Sequence, residues 1–209
     1  MKKVLLISFM VLALALVLSS CMKTTRNTTM SIRDAISAAA SSTVNATVVG
    51  VVTDGYGDYV VIQDNTAAIE VYLKGSSLGN TYTRGEKLEV FGTVQNYKNN
   101  WEIVPPATSN VIKIGTGTVN PTPIPTNTAL GVKYDWMLMK VTNLPVEKIA
   151  DKYYDVVLKN GSADITIFSY DSDVRKWLTS LSTGDIVSVQ GNVRYTYGWK
   201  LVLRDINDK

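Results

Sequence analysis

Tyrosine, tryptophan, lysine and arginine side chains recur beside short polar turns, and the chemistry they offer is recognition rather than bond making. Tyr56 and Tyr59 bracket the turn Asp54-Gly55-Tyr56-Gly57-Asp58, and Tyr97, Lys98, Asn99 and Trp101 gather around a second turn. Further along, Tyr153 and Tyr154 precede a β-rich run, and Tyr195, Tyr197 and Trp199 stand beside Arg194, with Lys200 and Arg204 nearby. Gln63, Tyr72, Lys159 and Phe168 lie in the runs between the turns. A ring stacked on a nucleobase contributes roughly 1–3 kcal/mol, and neighbouring cations attract phosphate. The competing role is structural, because large rings suit a pleated, half-buried surface. Trp101 and Trp199 fit core or cross-strand packing better than they fit ligand contact.

Catalytic chemistry has few residues to draw on. The chain has no histidine and a single cysteine, Cys21. The commonest general base and metal ligand is therefore missing, and with Cys21 committed elsewhere no thiol nucleophile or zinc cluster can form. The carboxylate pairs Asp54/Asp58 and Asp171/Asp173 could hold Ca²⁺, but neither has EF-hand spacing; turn formation and helix capping account for them more simply. No phosphate-cradling glycine loop is present. No cofactor and no metal are implied, and the chain reads as a non-enzyme.

The elements that must position these side chains are mostly strands. From residue 44, short β-rich runs alternate with Gly, Asn and Asp. Strands are expected at about 46–53, 59–64, 67–73, 87–96 and 100–104, and again at about 136–148, 153–159, 163–169, 185–195 and 198–204. The second set repeats the first. Gly85-Glu86-Lys87-Leu88-Glu89-Val90-Phe91-Gly92 matches Gly184-Asp185-Ile186-Val187-Ser188-Val189-Gln190-Gly191, and Trp101-Glu102-Ile103-Val104 matches Trp199-Lys200-Leu201-Val202. Val61-Ile62 and Ile69-Glu70-Val71-Tyr72 match Val157-Leu158 and Ile165-Thr166-Ile167-Phe168 at an offset of 96 residues. Gly92 and Gly191 suit the sharp bend of a strand around a small barrel. Val174, Trp177, Leu178 and Leu181 fall on one stripe of a short helix between the third and fourth strands of the second set. The matching Gly75-Ser76-Ser77-Leu78-Gly79-Asn80 is expected to be a loop. Five strands with a helix or loop between the third and fourth is the OB architecture, a partly open Greek-key barrel. The expected fold class is all-β, two tandem five-stranded OB-fold barrels preceded by a short helix that starts at Ser31.

Two resemblances extend this reading. Lys2-Lys3, the apolar run Val4–Leu18 and then Leu18-Ser19-Ser20-Cys21 form a charged start, an apolar core and a small-residue site in the order of a secretory signal. This resembles the lipobox of bacterial lipoproteins, which implies lipid (palmitate among its acyl chains) on Cys21 and attachment to a membrane of the cell envelope, at the outer membrane or cell surface. The stretch from Ser31 to Trp101 resembles the OB-like modules of secreted bacterial nucleases and surface lipoproteins. The matching pieces are Ser31-Ile32-Arg33-Asp34-Ala35, Val49-Gly50-Val51-Val52, Val61-Ile62-Gln63-Asp64, Ile69-Glu70-Val71-Tyr72 and Gly85 to Gly92. The second half departs from it, with Leu158-Lys159-Asn160 at the Ile-Gln-Asp position and Asn143 in place of Gly50.

The expected organisation is a signal peptide over residues 1–20, a lipidated tether and helix over 21–43, a first barrel over 44–118, a Pro-rich linker over 119–131 and a second barrel over 132–209. OB barrels bind ligands on strands two and three and with the loops joining strands one and two and four and five. Those places hold Tyr56, Tyr59, Gln63, Tyr72, Tyr97, Lys98 and Trp101 in the first unit, and Tyr154, Lys159, Arg194, Tyr195, Tyr197 and Trp199 in the second. Charge limits the partner. Lys and Arg number 21 against 18 acids, and without residues 1–20 the count is 19 against 18. Such balance argues against strong, sequence-independent nucleic-acid binding, most of which comes from neutralised phosphates. The leading function is a membrane-tethered binding module for an extended polymer, with single-stranded nucleic acid as first candidate. The rival is a protein–protein adaptor in an envelope complex.

Overall fold

The computed structural model describes residues 28–149 and 154–209. The expected signal segment, Cys21 with its expected lipid, most of the expected tether and Tyr153 lie outside the described residues.

A parallel two-residue strand, β1 (Thr29–Met30), lies against the start of β2 (Val44–Tyr56). Between them, α1 (Ile32–Ala39) starts at Ser31, whose hydroxyl accepts from Asp34 N–H at 3.1 Å. Its buried face, Ile32, Ala35 and Ile36, joins the first core. Asp64 ties this helix down, accepting from Ile32 N–H at 2.8 Å through one carboxylate oxygen and from Thr66 and Ala67 N–H through the other.

Next come β3 (Tyr59–Gln63), β4 (Ala68–Tyr72), β5 (Glu86–Tyr97) and β6 (Asn100–Val104). Their order is β2-β3-β4-β6-β5, and β2 also pairs with β5, so the five strands close into a barrel. Closure depends on the length of β2. Its first half pairs with β5 and its second with β3, with an irregularity between Val52 and Asp54 where it changes partner. Strand β4 runs parallel to β6, the Greek-key crossing of an OB-like fold. Strand β7 (Val111–Thr116) adds to the outer edge of β5.

The expected loop before β5 contains a four-residue helix, α2 (Leu78–Thr81), with Leu78 inserted into the core. Its Gly/Ser-rich composition has poor helix propensity, but one buried leucine outweighs that over a single turn.

The second sheet is built from β9 (Leu138–Ile149), β10 (Val156–Asn160), β11 (Ala163–Ser169), β12 (Ile186–Tyr195) and β13 (Trp199–Leu203). Their order is β10-β11-β13-β12-β9, with β9 also paired to β10 and β11 parallel to β13. Between β11 and β12 sits α3 (Ser172–Ser180), capped by Asp171 and contributing Val174 and Leu178 to the second core. The proline-rich stretch ahead of β9 is held along this sheet. In it β8 (Thr122–Pro123) pairs with β9, Ile124 enters the second core, and Asn160 Nδ2 donates to Pro125 O at 2.9 Å.

Gly92 and Gly191 do the same work in the two sheets, and it is close approach as much as bending. A Cβ on Gly92 would lie 2.7 Å from Val104 O, and one on Gly191 would lie 2.3 Å from Val202 O. Both contacts are with rigid backbone of the neighbouring strand. Gly92→Ala and Gly191→Ala are each expected to cost about 1–3 kcal/mol, the usual range for overpacking. Urea denaturation checks this, and a midpoint unchanged in either variant would show that the strands have room to separate.

Candidate functional site

The outward face of β3 and β4, where an OB barrel offers its ligand surface, is covered by the second unit. Val61 and Ala68 on that face are fully buried against Trp136, with Tyr59 and Met137 packed alongside. Leu138 N–H donates to the Gln63 side-chain oxygen at 2.7 Å, and Trp101 N–H donates to Asp135 at 2.6 Å. Asn192 Nδ2 donates to Thr53 Oγ1 at 3.1 Å and to Trp136 O at 2.7 Å. The Arg204 guanidinium donates to Thr53 O at 2.8 Å while paired with Asp208. Trp136 has φ 59°, in the left-handed region that a Cβ disfavours. Its N–H donates to Val193 O at 2.6 Å and Met137 N–H to Tyr134 O at 2.9 Å, and these bonds hold the ring in the seam despite that cost.

Beside this seam the two units leave a cleft of about 810 Å³, within the range of ligand sites. Tyr56 ends β2 and Tyr59 begins β3, so the β2–β3 hairpin presents both rings to it. The loop below supports the hairpin: Gly79 N–H donates to Gly57 O at 2.9 Å, and Asp58 accepts from Gly75 N–H at 2.8 Å and Ser77 N–H at 3.1 Å. Those backbone donors, Gly75 first, hold the Asp58 carboxyl below its ordinary range. The opposite wall comes from the second unit, with Tyr170 and Arg175 around the start of α3 and Arg194 near the end of β12.

Four arginines line the cleft, and two of them are already neutralised. Arg84 pairs with Asp205 and, at 3.6 Å, with Asp54, while Arg204 pairs with Asp208. Burial raises the Asp54 carboxyl, and Arg84 opposes that shift. Among the described residues Arg175 and Arg194 form no ion pair. Arg194 instead lies over rings, 4.6 Å from the Trp136 centroid, 5.5 Å from Tyr59 and 5.9 Å from Tyr170. Arg175 lies 5.3 Å from Tyr154, 5.7 Å from Phe168 and 6.0 Å from Tyr170, its Nε donating to Ser169 O at 2.7 Å. Tyr56 is 78% exposed and Tyr170 54%, so two open rings flank two cations that are outside any ion pair among the described residues, though the charge of Arg194 reaches the buried Glu70 and Asp135. A smaller cleft of about 440 Å³ near Gly50, Asp64 and Asn120 has one cation, Lys87, and no ring.

The side chains expected at the site therefore separate into groups. Tyr56, Tyr59 and Arg194 meet at the cleft. Gln63 is buried between the units and bonded to Leu138, so it has no free face for a ligand; Tyr72 lies opposite Tyr59 in the β3–β4 pair. Trp101 packs against the first core and Trp199 against the second, with Tyr195 edge-on to Trp199 at 5.5 Å. Tyr97 and Lys98 share one hairpin tip, where the ammonium lies 4.9 Å from the ring, and Tyr197 is fully exposed at the other. The hairpins adjoin, since Asn100 and the Tyr195 backbone exchange two hydrogen bonds. Tyr154 stands under Arg175, and Lys159 is paired with Asp164 at 3.1 Å.

Arg84, Trp136, Tyr170, Arg175 and Asn192 were not expected at the site. Arg175 lies on the polar side of the helix whose apolar stripe is evident in the sequence, and Trp136 stands at the predicted start of the first strand of the second unit; both signals concern the core, not a ligand. Asp171 accepts from Asp173 and Val174 N–H as a helix cap. Among the described residues no group of three or more His, Cys, Asp or Glu is placed to hold a metal ion, and no helix is long and apolar enough to cross a membrane.

No family model matches the chain, and no curated protein matches it. Among solved structures it is similar to the p204 HINb domain, with a TM-score of 0.32, 13% identity, and coverage of 69% of this chain and 78% of that one. It is also similar to a deletion mutant of the single-stranded DNA binding protein from Thermus aquaticus, with a TM-score of 0.26, 10% identity, and coverage of 78% of this chain and 80% of that one.

Proposed function

We propose that this chain is a lipoprotein of the bacterial cell envelope, tethered to a membrane through Cys21. Its body is a tandem pair of OB barrels, and the cleft between them binds single-stranded nucleic acid without catalysing a reaction on it. The carrying observation is the pair Arg175 and Arg194, which form no ion pair among the described residues and lie over rings in a cleft whose rim carries the open rings of Tyr56 and Tyr170. Guanidinium groups bind phosphate through paired donors, and flat exposed rings stack on bases with little regard to sequence. Duplex DNA offers no unstacked base to such rings, so a single strand suits the cleft better.

The near-neutral chain implies few phosphate contacts, and so modest affinity with a shallow salt dependence. Fluorescence anisotropy with a labelled single-stranded oligonucleotide at low salt is expected to show micromolar binding. Tyr56→Ala or Tyr170→Ala should weaken it about tenfold, the effect of losing one stacked ring. Absence of binding at low salt, or binding indifferent to both variants, would remove this reading.

A further inference from the structure

The seam beside the cleft buries more acid than it can neutralise. Glu70 on β4 is 9% exposed, Glu102 on β6 7% and Asp135 4%, and Glu70 and Glu102 are register partners across the parallel β4–β6 pair. Arg194 is the cation that acts on both Glu70 and Asp135. Hydrogen bonding compensates only in part: Gln95 Nε2 donates to Glu102 at 2.6 Å, and Trp101 N–H donates to one oxygen of Asp135. The other Asp135 oxygen, the Trp136 indole N–H and the Asn192 side-chain oxygen are buried with no hydrogen-bond partner among the described residues. Unsatisfied polar atoms and surplus charge are costly in a buried interface, so these groups oppose the contact that Val61, Ala68 and Trp136 favour.

We propose that the seam is a protonation-dependent latch: ionisation of Glu70 and Asp135 parts the two units and uncovers the β3–β4 face of the first barrel, with Tyr59, Val61, Gln63 and Ala68 on it. This goes beyond the cleft reading and does not depend on it, because the latch works on the chain alone. The charges that face the pair come from every neighbouring element. They are Glu102 on β6, Arg194 on β12 and the Tyr59 hydroxyl on β3, with Asp54 acting on Tyr59 from the end of β2. Lys200, cross-strand from Arg194, is held by Asp155 at 2.7 Å.

Burial is the main cause that pushes both carboxyls up, Glu70 to about 7 and Asp135 to about 7, against ordinary values of 4.5 and 3.8. For Asp135 the Trp101 N–H is the largest opposing effect, and for Glu70 it is Arg194. Groups with raised values keep their protons in the closed seam and lose them once hydrated. Their stabilisation of closure is complete below about pH 4 and is lost as the pH rises through about 7.

The test is site-resolved amide hydrogen exchange in the full chain at pH 6 and pH 8.5, corrected for the intrinsic pH dependence of exchange. Leu138 and Trp101 N–H are the reporters, since both donate across the seam. Their opening is expected to rise about tenfold per carboxyl between the two pH values, while β5 and β12 core amides stay protected. Asp135→Asn keeps the acceptor for Trp101 without the charge, and with Glu70→Gln it should abolish the rise. Circular dichroism at both pH values would establish that the variant is folded, and each single variant should remove about half of the logarithmic change if the double one is not. Seam protection indifferent to pH, a rise that persists in the folded variants, or simultaneous loss of core protection would overturn the latch.

Discussion

Replacing Arg175 and Arg194 together with alanine is expected to weaken binding of a single-stranded oligonucleotide by about a hundredfold at low salt and to flatten its salt dependence. Each guanidinium that neutralises a phosphate on a single strand adds about 0.7 to the slope of log affinity against log salt, so the double variant should lose about 1.4. The effect is large because neither cation is held in an ion pair among the described residues, although the charge of Arg194 also acts on the buried Glu70 and Asp135. Arg84 and Arg204, whose charges are already countered within the protein, should matter less. Arg194→Lys separates charge from shape: it keeps the cation but loses the planar contact with Trp136 and Tyr59. It should preserve the salt slope while lowering affinity at every salt concentration. Anisotropy titrations across a salt series measure both quantities, and an unchanged slope in the double variant would show that phosphate is not held by these arginines.

Trp136→Ala is expected to destabilise the protein by about 3–5 kcal/mol, the usual cost of truncating a buried tryptophan. The ring is 1% exposed, packed on Val61 and Ala68, and covered by Arg194. For a chain of this size that corresponds to a fall in melting temperature of roughly 10 °C. Because Trp136 joins two sheets that each have a core of their own, the loss should also broaden the transition as the units begin to unfold separately. Thermal unfolding followed by circular dichroism checks both effects. A sharp transition moved by less than about 2 °C would mean that the seam contributes little and that the units are held by other contacts, such as Arg84 with Asp205 and Arg204 with Thr53.

Legibility in the sequence followed what local physics controls. Runs rich in β-branched and aromatic residues mark strands, and Tyr59-Val60-Val61-Ile62 and Ile165-Thr166-Ile167-Phe168 form β3 and β11 in the structure. Gly92 and Gly191 mark places where strand backbones nearly touch, a requirement that only a missing side chain meets. Asp171 ahead of the Val174/Leu178 stripe acts as a helix cap, since capping is decided within a few residues. The absence of histidine and the single cysteine limited the available chemistry before any fold was known.

A period of two specifies an outward face but carries no information about what lies against it. Gln63, Tyr59 and Glu70 point away from the first core, and the sequence alone cannot distinguish a face open to solvent from one covered by Trp136 and Leu138 some 70 residues later. The cleft arises from the same cause: Arg175, Tyr170 and Arg194 gain their relation to Tyr56 only when two separately folded sheets dock. Composition and spacing by themselves determined a mainly β chain without histidine and with rings beside turns. Which of those rings meet arginines, and which carboxyls are buried, depended on docking between distant segments, because burial and charge pairing are set by neighbours in space and not by neighbours in the chain.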